Sequence, residues 1–243
     1  MAQESTLTFN KSVAIIGGGP AGCACAKFLQ DFGAKDISVF DYGNFLRTLL
    51  PTGGGRCNLS HAEYDYKELA KNYPRGEKFL YSVFSKFGTT ETIEMFKALG
   101  IDTYTQEDKR IFPKSNSSKD VREKFLKSLK CKFIKEKVYQ LEPLKKSYKI
   151  ITNKSSYTFD IVVIAIGGHA GFELPNNLGL HIAEPTQSLV GLRTKEDFST
   201  LAGVNVKKAN ICTIEGDILF THKGISGPLI YTISSINARK PTP

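Results

Sequence analysis

Residues 12–22 read Ser12-Val-Ala-Ile-Ile16-Gly17-Gly18-Gly19-Pro20-Ala21-Gly22, and their order decides the fold. A short β-branched run that ends at once in glycine reads as a buried parallel strand. Helix-forming residues follow from Pro20 to Phe32. Pro20 suits the first helical turn, where its missing N–H costs nothing, and Gly33 can supply a left-handed stop. Asp36-Ile-Ser-Val-Phe-Asp41 then reads as a second short strand. Strand, helix and strand within about 30 residues form a βαβ unit with a right-handed crossover. The expected fold class is α/β.

The glycines between the first strand and the helix fit G-x-G-x-x-G. Gly17 allows the tight turn, Gly19 lets the backbone approach a pyrophosphate, and Gly22 lets the helix pack close to the sheet. The helix N-terminus presents free N–H groups and a positive dipole to an anion. Asp41 ends the second strand, where a carboxylate can accept from both hydroxyls of an adenosine ribose and would repel a 2′-phosphate. These residues point to FAD or NAD(H) rather than NADP(H).

A second glycine cluster follows, Thr52-Gly-Gly-Gly-Arg-Cys-Asn58. Three consecutive glycines add nothing to a core and raise the entropy cost of ordering the loop. A backbone surface fitted against a flat or phosphorylated ligand would justify them. Arg56 adds a charge suited to phosphate, and Asn58 adds both donor and acceptor.

Farther along, apolar residues at three- and four-residue steps predict helices over 76–87 and 89–99. A third helix is predicted over 118–129, opened by Ser117-x-x-Asp120 in the manner of a capping box. Strands are expected at Phe133–Tyr139, Tyr148–Thr152 and Tyr157–Ile166, the last closed by Gly167-Gly168. From about Leu189 the texture changes to short polar strands, with a hairpin expected around Glu215-Gly216-Asp217. The domain reading is a Rossmann-type domain over 1–188, with a helical excursion at about 62–130. A β-rich portion over 189–243 would end in a short helix.

Composition limits the classes. The chain of 243 residues is 41% hydrophobic and 23% charged, which suits a globular protein rather than a disordered one. Its longest aliphatic stretch, Ile161–Ile166, falls far short of the roughly 20 residues a bilayer requires. MAQESTLTFNKS has no signal-peptide build, and the five scattered cysteines contain no C-x-x-C. The expectation is a cytoplasmic protein with reduced thiols and no metal site. The net charge of +9 concentrates in residues 109–149, with 14 Lys/Arg against 4 Asp/Glu. These lysines alternate with core-type residues, as on the solvated face of a strand. A nucleic-acid footprint is the second reading of that stretch.

Five ordered motifs carry a family resemblance: GGGPAG, TGGGRCN, Lys109-Arg-Ile-Phe-Pro-Lys-Ser115, Ile164-Ala-Ile-Gly-Gly168 and Leu219-Phe-Thr-His-x-Gly-Ile-Ser-Gly-Pro228. Together they resemble the aminoacetone-oxidase-like (BaiN-type) FAD-dependent flavoproteins, found mainly in bacteria. The resemblance implies a glutathione-reductase-like FAD domain carrying an inserted, mostly β domain. It implies that Gly17, Gly19, Pro20, Ala21 and Gly22 line the pyrophosphate and that Asp41 holds the ribose. Gly54, Gly55, Arg56, Cys57 and Asn58 would run along the cofactor towards the flavin. The backbone of Val138 would read adenine, and Gly167 and Gly168 would close over the nucleotide.

The family's G-S-x-G-D-G-Y stretch is missing after Gly168, and members usually run longer than this chain. The sequence therefore resembles the N-terminal portion of the pattern, expected to hold the adenosine half of FAD and to leave the flavin ring poorly covered. His222 lies in the last motif, where its neighbours also fit a strand-to-helix turn capped by Ser226.

The leading functional reading is an FAD-dependent oxidoreductase acting on a small organic molecule, by amine oxidation or by NAD(P)H-linked reduction of an enone-type substrate. The alternatives are a nucleic-acid-associated flavoprotein and an inactive remnant. A short-chain dehydrogenase is excluded, because none of the ten tyrosines has lysine four residues later.

Overall fold

The computed structural model describes residues 9–168 and 171–240. The N-terminal stretch through Thr8, together with His169 and Ala170, lies outside the described residues. The chain divides into two compact units. One takes in the chain up to Ala70 together with Lys78–Ile182, and the other takes in Lys71–Glu77 and the chain from Ala183 onward.

The first unit opens with β1 (Val13–Ile16), α1 (Pro20–Asp31) and β2 (Ile37–Phe40). β1 and β2 pair in parallel, with Val13 opposite Ile37 and Ile16 opposite Phe40. Gly33 follows α1 at φ 87°, and its N–H donates to the Gln30 carbonyl, so the left-handed stop read from the sequence is present.

The chain then runs through β3 (Ser60–His61), α2 (Tyr66–Lys71), α3 (Glu77–Phe84) and α4 (Thr89–Ala98). β4 (Thr103–Thr105), β5 (Arg110–Pro113), α5 (Ser118–Ser128) and β6 (Lys132–Ile134) come next. The Ser117 hydroxyl accepts the Asp120 N–H and caps α5. The predicted helices are found, the first shortened to α3. The stretch read as a helical excursion also holds an antiparallel sheet in the order β3-β5-β4. Strands of two to four residues leave no readable alternation.

Two strands predicted as continuous are each broken in two. Phe133–Tyr139 divides into β6, parallel to β2, and β7 (Val138–Pro143), antiparallel to β8 (Tyr148–Thr152). Tyr157–Ile166 divides into β9 (Ser156–Phe159), antiparallel to β8, and β10 (Ile161–Ile164), parallel to β1. In both cases the chain changes sheet, which an apolar run of this length cannot announce because short strands of either sheet draw on the same residue types.

The parallel sheet has the order β10-β1-β2-β6, and β7-β8-β9 forms the crossover that returns the chain to β10. Its two faces are covered separately. Val13, Ile15, Ile37 and Val39 pack with Cys23 and Ala26 of α1 and Phe125 of α5. Ala14, Ile16 and Phe40 pack on the other face with Leu141, Ile150 and Phe159 of the β7-β8-β9 sheet. This explains why β1 reads as an unbroken apolar run. The short helix α6 (Glu173–Asn177) adds Leu174 to the second face.

The break at Asp160 has a polar cause. Its carboxylate accepts from the Ser12 N–H at 2.8 Å and the Ser12 hydroxyl at 2.9 Å, and these bonds hold its pKa below the usual 3.8. A carboxylate with a lowered pKa stabilises the fold above its unfolded value and loses that contribution as pH falls through the folded value. Stability is therefore expected to drop on acidification below about 3.8. Asp160→Asn should flatten this part of the acid limb in a pH series of urea unfolding. An unchanged limb would assign the acid sensitivity to other carboxylates.

The second unit holds β11 (Asn205–Ile211), β12 (Ile214–Thr221), β13 (Gly224–Ser226) and α7 (Pro228–Asn237), with the sheet in that order. The hairpin turns at Cys212-Thr213, not at Glu215-Gly216-Asp217, which lie inside β12. Gly216 serves close packing there, since a Cβ would stand 3.1 Å from Leu229 Cβ of α7. The α7 cap is Gly227 rather than Ser226, whose hydroxyl instead donates to the Tyr231 hydroxyl. Within this unit Arg75 donates to the Ser235 and Ala238 carbonyls at the C-terminus of α7. Among the described residues no helix is long and apolar enough to cross a membrane.

Candidate functional site

The carboxyl ends of β1, β2 and β10 bring together Gly17–Gly22, Asp41 and Gly167-Gly168. That edge is where open parallel sheets bind ligands. The glycines there do different work. A Cβ on Gly17, at φ 110°, would stand 2.2 Å from the Ala165 carbonyl oxygen. A Cβ on Gly22 would stand 1.9 Å from the Gly17 carbonyl oxygen. Both positions are closed by backbone, so the turn and the seat of α1 each require glycine.

Gly19 is different. The space its side chain would take holds only Thr48 Oγ1 at 3.8 Å, and it is the N-cap of α1 without a side-chain cap. Pro20 has no N–H, and Ala21 and Gly22 fall in the first turn, whose amides lack helical partners.

Asp41 sits across this turn. One carboxylate oxygen accepts the Gly18 N–H at 2.8 Å, and the other accepts the Gly43 N–H at 2.7 Å. Each oxygen retains a second lone pair. Asp41 thus does what the sequence reading did not anticipate: it ties the glycine turn to the end of β2. Gly18, which the sequence reading gave no role, is the donor. Leu46 adds a second tie, its N–H donating to the Gly18 carbonyl at 2.7 Å.

The Thr52–Asn58 loop is a tight turn in which four residues reverse the usual φ sign, three in a row and one after Arg56. Gly53, Gly54, Gly55 and Cys57 have φ of 57°, 67°, 84° and 65°. Gly54 and Gly55 have nothing within 4 Å of a built Cβ and present bare backbone. The Arg56 guanidinium makes two contacts: its Nε donates to the Gly53 carbonyl at 3.3 Å, and its carbon lies 4.2 Å from the Phe112 ring centroid.

Cys57 is fully buried among Ile101 and Val121, and burial pushes its thiol pKa up. It packs the loop against the neighbouring elements. Asn58, with the amide orientation that its neighbours dictate, donates to the carbonyls of Ser60 (3.0 Å) and Ile111 (3.2 Å). Its side chain therefore anchors the loop to β3 and β5.

Val138 begins β7, not the strand following α5, and is 8% exposed on the second face of the parallel sheet. Gly167, at φ 79°, and Gly168 are exposed, with nothing within 4 Å of a built Cβ. His222 is exposed at the turn between β12 and β13, in the second unit. Two residues were missed in the sequence: Thr48, whose hydroxyl faces Gly19, and Phe112, under Arg56. Only the alternation Arg110-x-Phe112 hinted at the second.

The thiols follow the same burial logic. Burial pushes Cys23 up to about 12 and Cys131 to about 11, so neither is a thiolate at neutral pH. Cys212 is exposed at its hairpin turn. A thiol-reactive dye is expected to label Cys212 within the mixing time and to reach Cys23 and Cys57 only on unfolding. Rapid labelling of Cys57 in the folded chain would mean that the loop opens.

An adenine dinucleotide fits the arrangement. Gly19 leaves room in front of the unpaired first-turn amides of α1, with the Asp41 carboxylate beside that turn. Gly54, Gly55, Gly167 and Gly168 each present backbone that a side chain would cover. Among the described residues no three His, Cys, Asp or Glu side chains form a group that could hold a metal ion.

Comparison with known proteins places this fold. The chain is 27% identical over 247 residues to a ribosomal RNA dihydrouridine synthase of Haemophilus influenzae, covering 91% of this chain and 60% of that protein. It is 29% identical over 249 residues to a 3-dehydro-bile acid delta(4,6)-reductase of Clostridium scindens, covering 91% and 59%. The chain thus spans about three fifths of the length of these curated relatives. A solved structure of glycine oxidase from Geobacillus kaustophilus matches 70% of this chain and 59% of its own, with 13% identity and a TM-score of 0.42. The HI0933-like protein Rossmann domain matches residues 11–219. With that domain spanning most of its length, and with the glycine turn, parallel sheet and antiparallel crossover described above, the chain belongs to the HI0933-like Rossmann family.

Proposed function

We propose that this chain is the FAD-binding part of an oxidoreductase that reduces a carbon–carbon double bond conjugated to a carbonyl group. The observation that carries the cofactor assignment is the glycine turn at the carboxyl ends of β1 and β2, where Gly19 leaves its Cβ space open at the uncapped N-terminus of α1 and Asp41 holds Gly18. The first-turn amides of α1 bind the pyrophosphate, where the helix dipole favours negative charge. Thr48 adds a hydroxyl from the opposite side of the turn. Asp41 accepts the ribose hydroxyls on the lone pairs that Gly18 and Gly43 leave, and its charge disfavours a 2′-phosphate. The backbone of Gly54 and Gly55 and the Arg56 guanidinium face the rest of the cofactor, and the start of β7 at Val138 reads the adenine.

When bound, FAD supplies hydride transfer between an electron donor such as NAD(P)H and the substrate. The double-bond assignment rests on the relatives' names. Dihydrouridine and a Δ4,6-reduced 3-oxo steroid are both products of saturating a double bond conjugated to a carbonyl. The amine-oxidation alternative has no comparable support among these relatives.

The test begins by titrating FAD into the purified chain and following the visible flavin band and the retained FAD after gel filtration. Anaerobic assays with NADH or NADPH and simple enones, uridine and uridine-containing RNA follow. Retained FAD is the expected result for the chain, and whatever turnover it supports should consume the enone or nucleobase double bond. A chain that retains NAD(H) but not FAD would overturn the cofactor assignment. A loaded chain that oxidises small amines and leaves enones and uridine intact would overturn the reaction.

A further inference from the structure

Phe112 is fully buried in β5, and the glycine loop rests on its ring. A Cβ on Gly53 would stand 2.8 Å from Phe112 Cε1, so the loop backbone lies in direct contact with the ring edge. Two guanidinium groups approach the same ring, Arg56 with Cζ at 4.2 Å from the centroid and Arg110 at 5.6 Å. They differ in what else they meet. Arg110 is neutralised by Asp108, with Nε and Nη2 at 2.7 and 2.6 Å from one carboxylate oxygen. Arg56 donates only Nε, to the Gly53 carbonyl, and among the described residues its Nη atoms pair with no carboxylate and no other acceptor. A cation stacked on an aromatic face keeps its in-plane N–H donors available.

We propose that Phe112 is a positioning residue of the proposed FAD site. Its ring fixes the Arg56 guanidinium beside the bare backbone of Gly54 and Gly55, so that the free Nη atoms meet an oxygen acceptor of the bound cofactor. The neutralised Arg110 supports the ring without competing for that acceptor. This rests on the FAD reading above. Phe112 touches no cofactor itself and acts through Arg56.

A mutant cycle tests it, using Phe112→Leu, which keeps apolar bulk without a ring, Phe112→Tyr, which keeps the ring, Arg56→Gln, and the Phe112→Leu/Arg56→Gln pair. Two signals are read. One is the Arg56 Nε–Hε resonance in the ¹⁵N-labelled chain without cofactor, identified by its loss in Arg56→Gln and displaced by the ring current of Phe112. The other is the FAD dissociation constant.

Parent and Phe112→Tyr should share the displaced resonance and bind FAD alike. Phe112→Leu should lose the displacement and bind about three- to tenfold more weakly, the range of a partly desolvated cation–π contact. In the Arg56→Gln background the same change should add almost nothing. Should Phe112→Leu fail to fold, Phe112→Met takes its place in the cycle.

Parental FAD affinity in Phe112→Leu, or an equal loss with and without Arg56, would overturn the proposal and leave Phe112 as packing alone. A parent chain with the displaced resonance but no FAD binding would instead overturn the FAD reading, and the role assigned to Phe112 with it.

Discussion

Alanine at position 22 is expected to cost about 3 kcal/mol of folding stability, at the upper end of what overpacking in a tight core produces. The cause is local and has no soft neighbour. The new methyl would lie 1.9 Å from the Gly17 carbonyl oxygen and 3.2 Å from Ile15 Cγ2. The first of these is backbone at the end of β1, so relief requires α1 to lift from the sheet. That separates Cys23 and Ala26 from Val13, Ile15 and Val39.

The control is Gly19→Ala, three residues away. Its methyl would meet only the Thr48 hydroxyl, at 3.8 Å. Stability should change by no more than about 0.5 kcal/mol, the usual size of a substitution away from special features. FAD affinity should nonetheless fall by about tenfold or more, because the methyl enters the space in front of the free helix amides. Urea unfolding and FAD titration on both variants separate the two roles. Parental stability in Gly22→Ala would mean that α1 does not sit on the β1 turn as described.

Removing the Asp41 carboxylate should have the second-largest effect, on both folding and binding. In Asp41→Ala the Gly18 and Gly43 N–H groups lose a charged acceptor. Hydrogen bonds to charged groups are worth about 1.5–3 kcal/mol, and partial exposure of the site lets water recover some of this, so a stability loss near 1.5 kcal/mol is expected. FAD binding should weaken by about 10- to 100-fold, through the lost ribose acceptor and a loosened glycine turn together. Asp41→Asn separates these. The amide oxygen can keep one of the two N–H groups, so only part of the stability should return while ribose binding stays impaired. Unchanged FAD affinity in Asp41→Ala would show that the ribose is held elsewhere.

The two variants also show how differently the parts of this site could be read from the sequence. G-x-G-x-x-G after a β-branched run prescribes where backbone must touch backbone, and Gly17 and Gly22 occupy those positions. Three consecutive glycines before Arg56 announced an exposed backbone surface, which Gly54 and Gly55 form. The roles of Arg56, Cys57 and Asn58 were not legible in this way. Cys57 packs among Ile101 and Val121, Asn58 holds Ser60 and Ile111, and Arg56 lies on Phe112. All of these partners except Ser60 lie more than 40 residues away along the chain.

What the sequence determined by itself is whatever depends on neighbouring residues: β1, α1 and β2 with their glycine turn, the left-handed stop at Gly33, the Ser117 cap and the period of the later helices. These follow from backbone geometry, missing side chains and hydrogen bonds spanning three or four residues. Only the tertiary structure decided where Phe133–Tyr139 and Tyr157–Ile166 change sheets, that Gly216 serves helix packing rather than a turn, and that Asp41 braces Gly18. The reason is physical. A buried strand has the same apolar composition whichever sheet takes it, and a carboxylate or a ring has the same identity whichever partner it meets. Those choices are made by long-range pairing, which brings β10 beside β1 across some 150 residues and sets Phe112 beneath a loop that precedes it by more than 50.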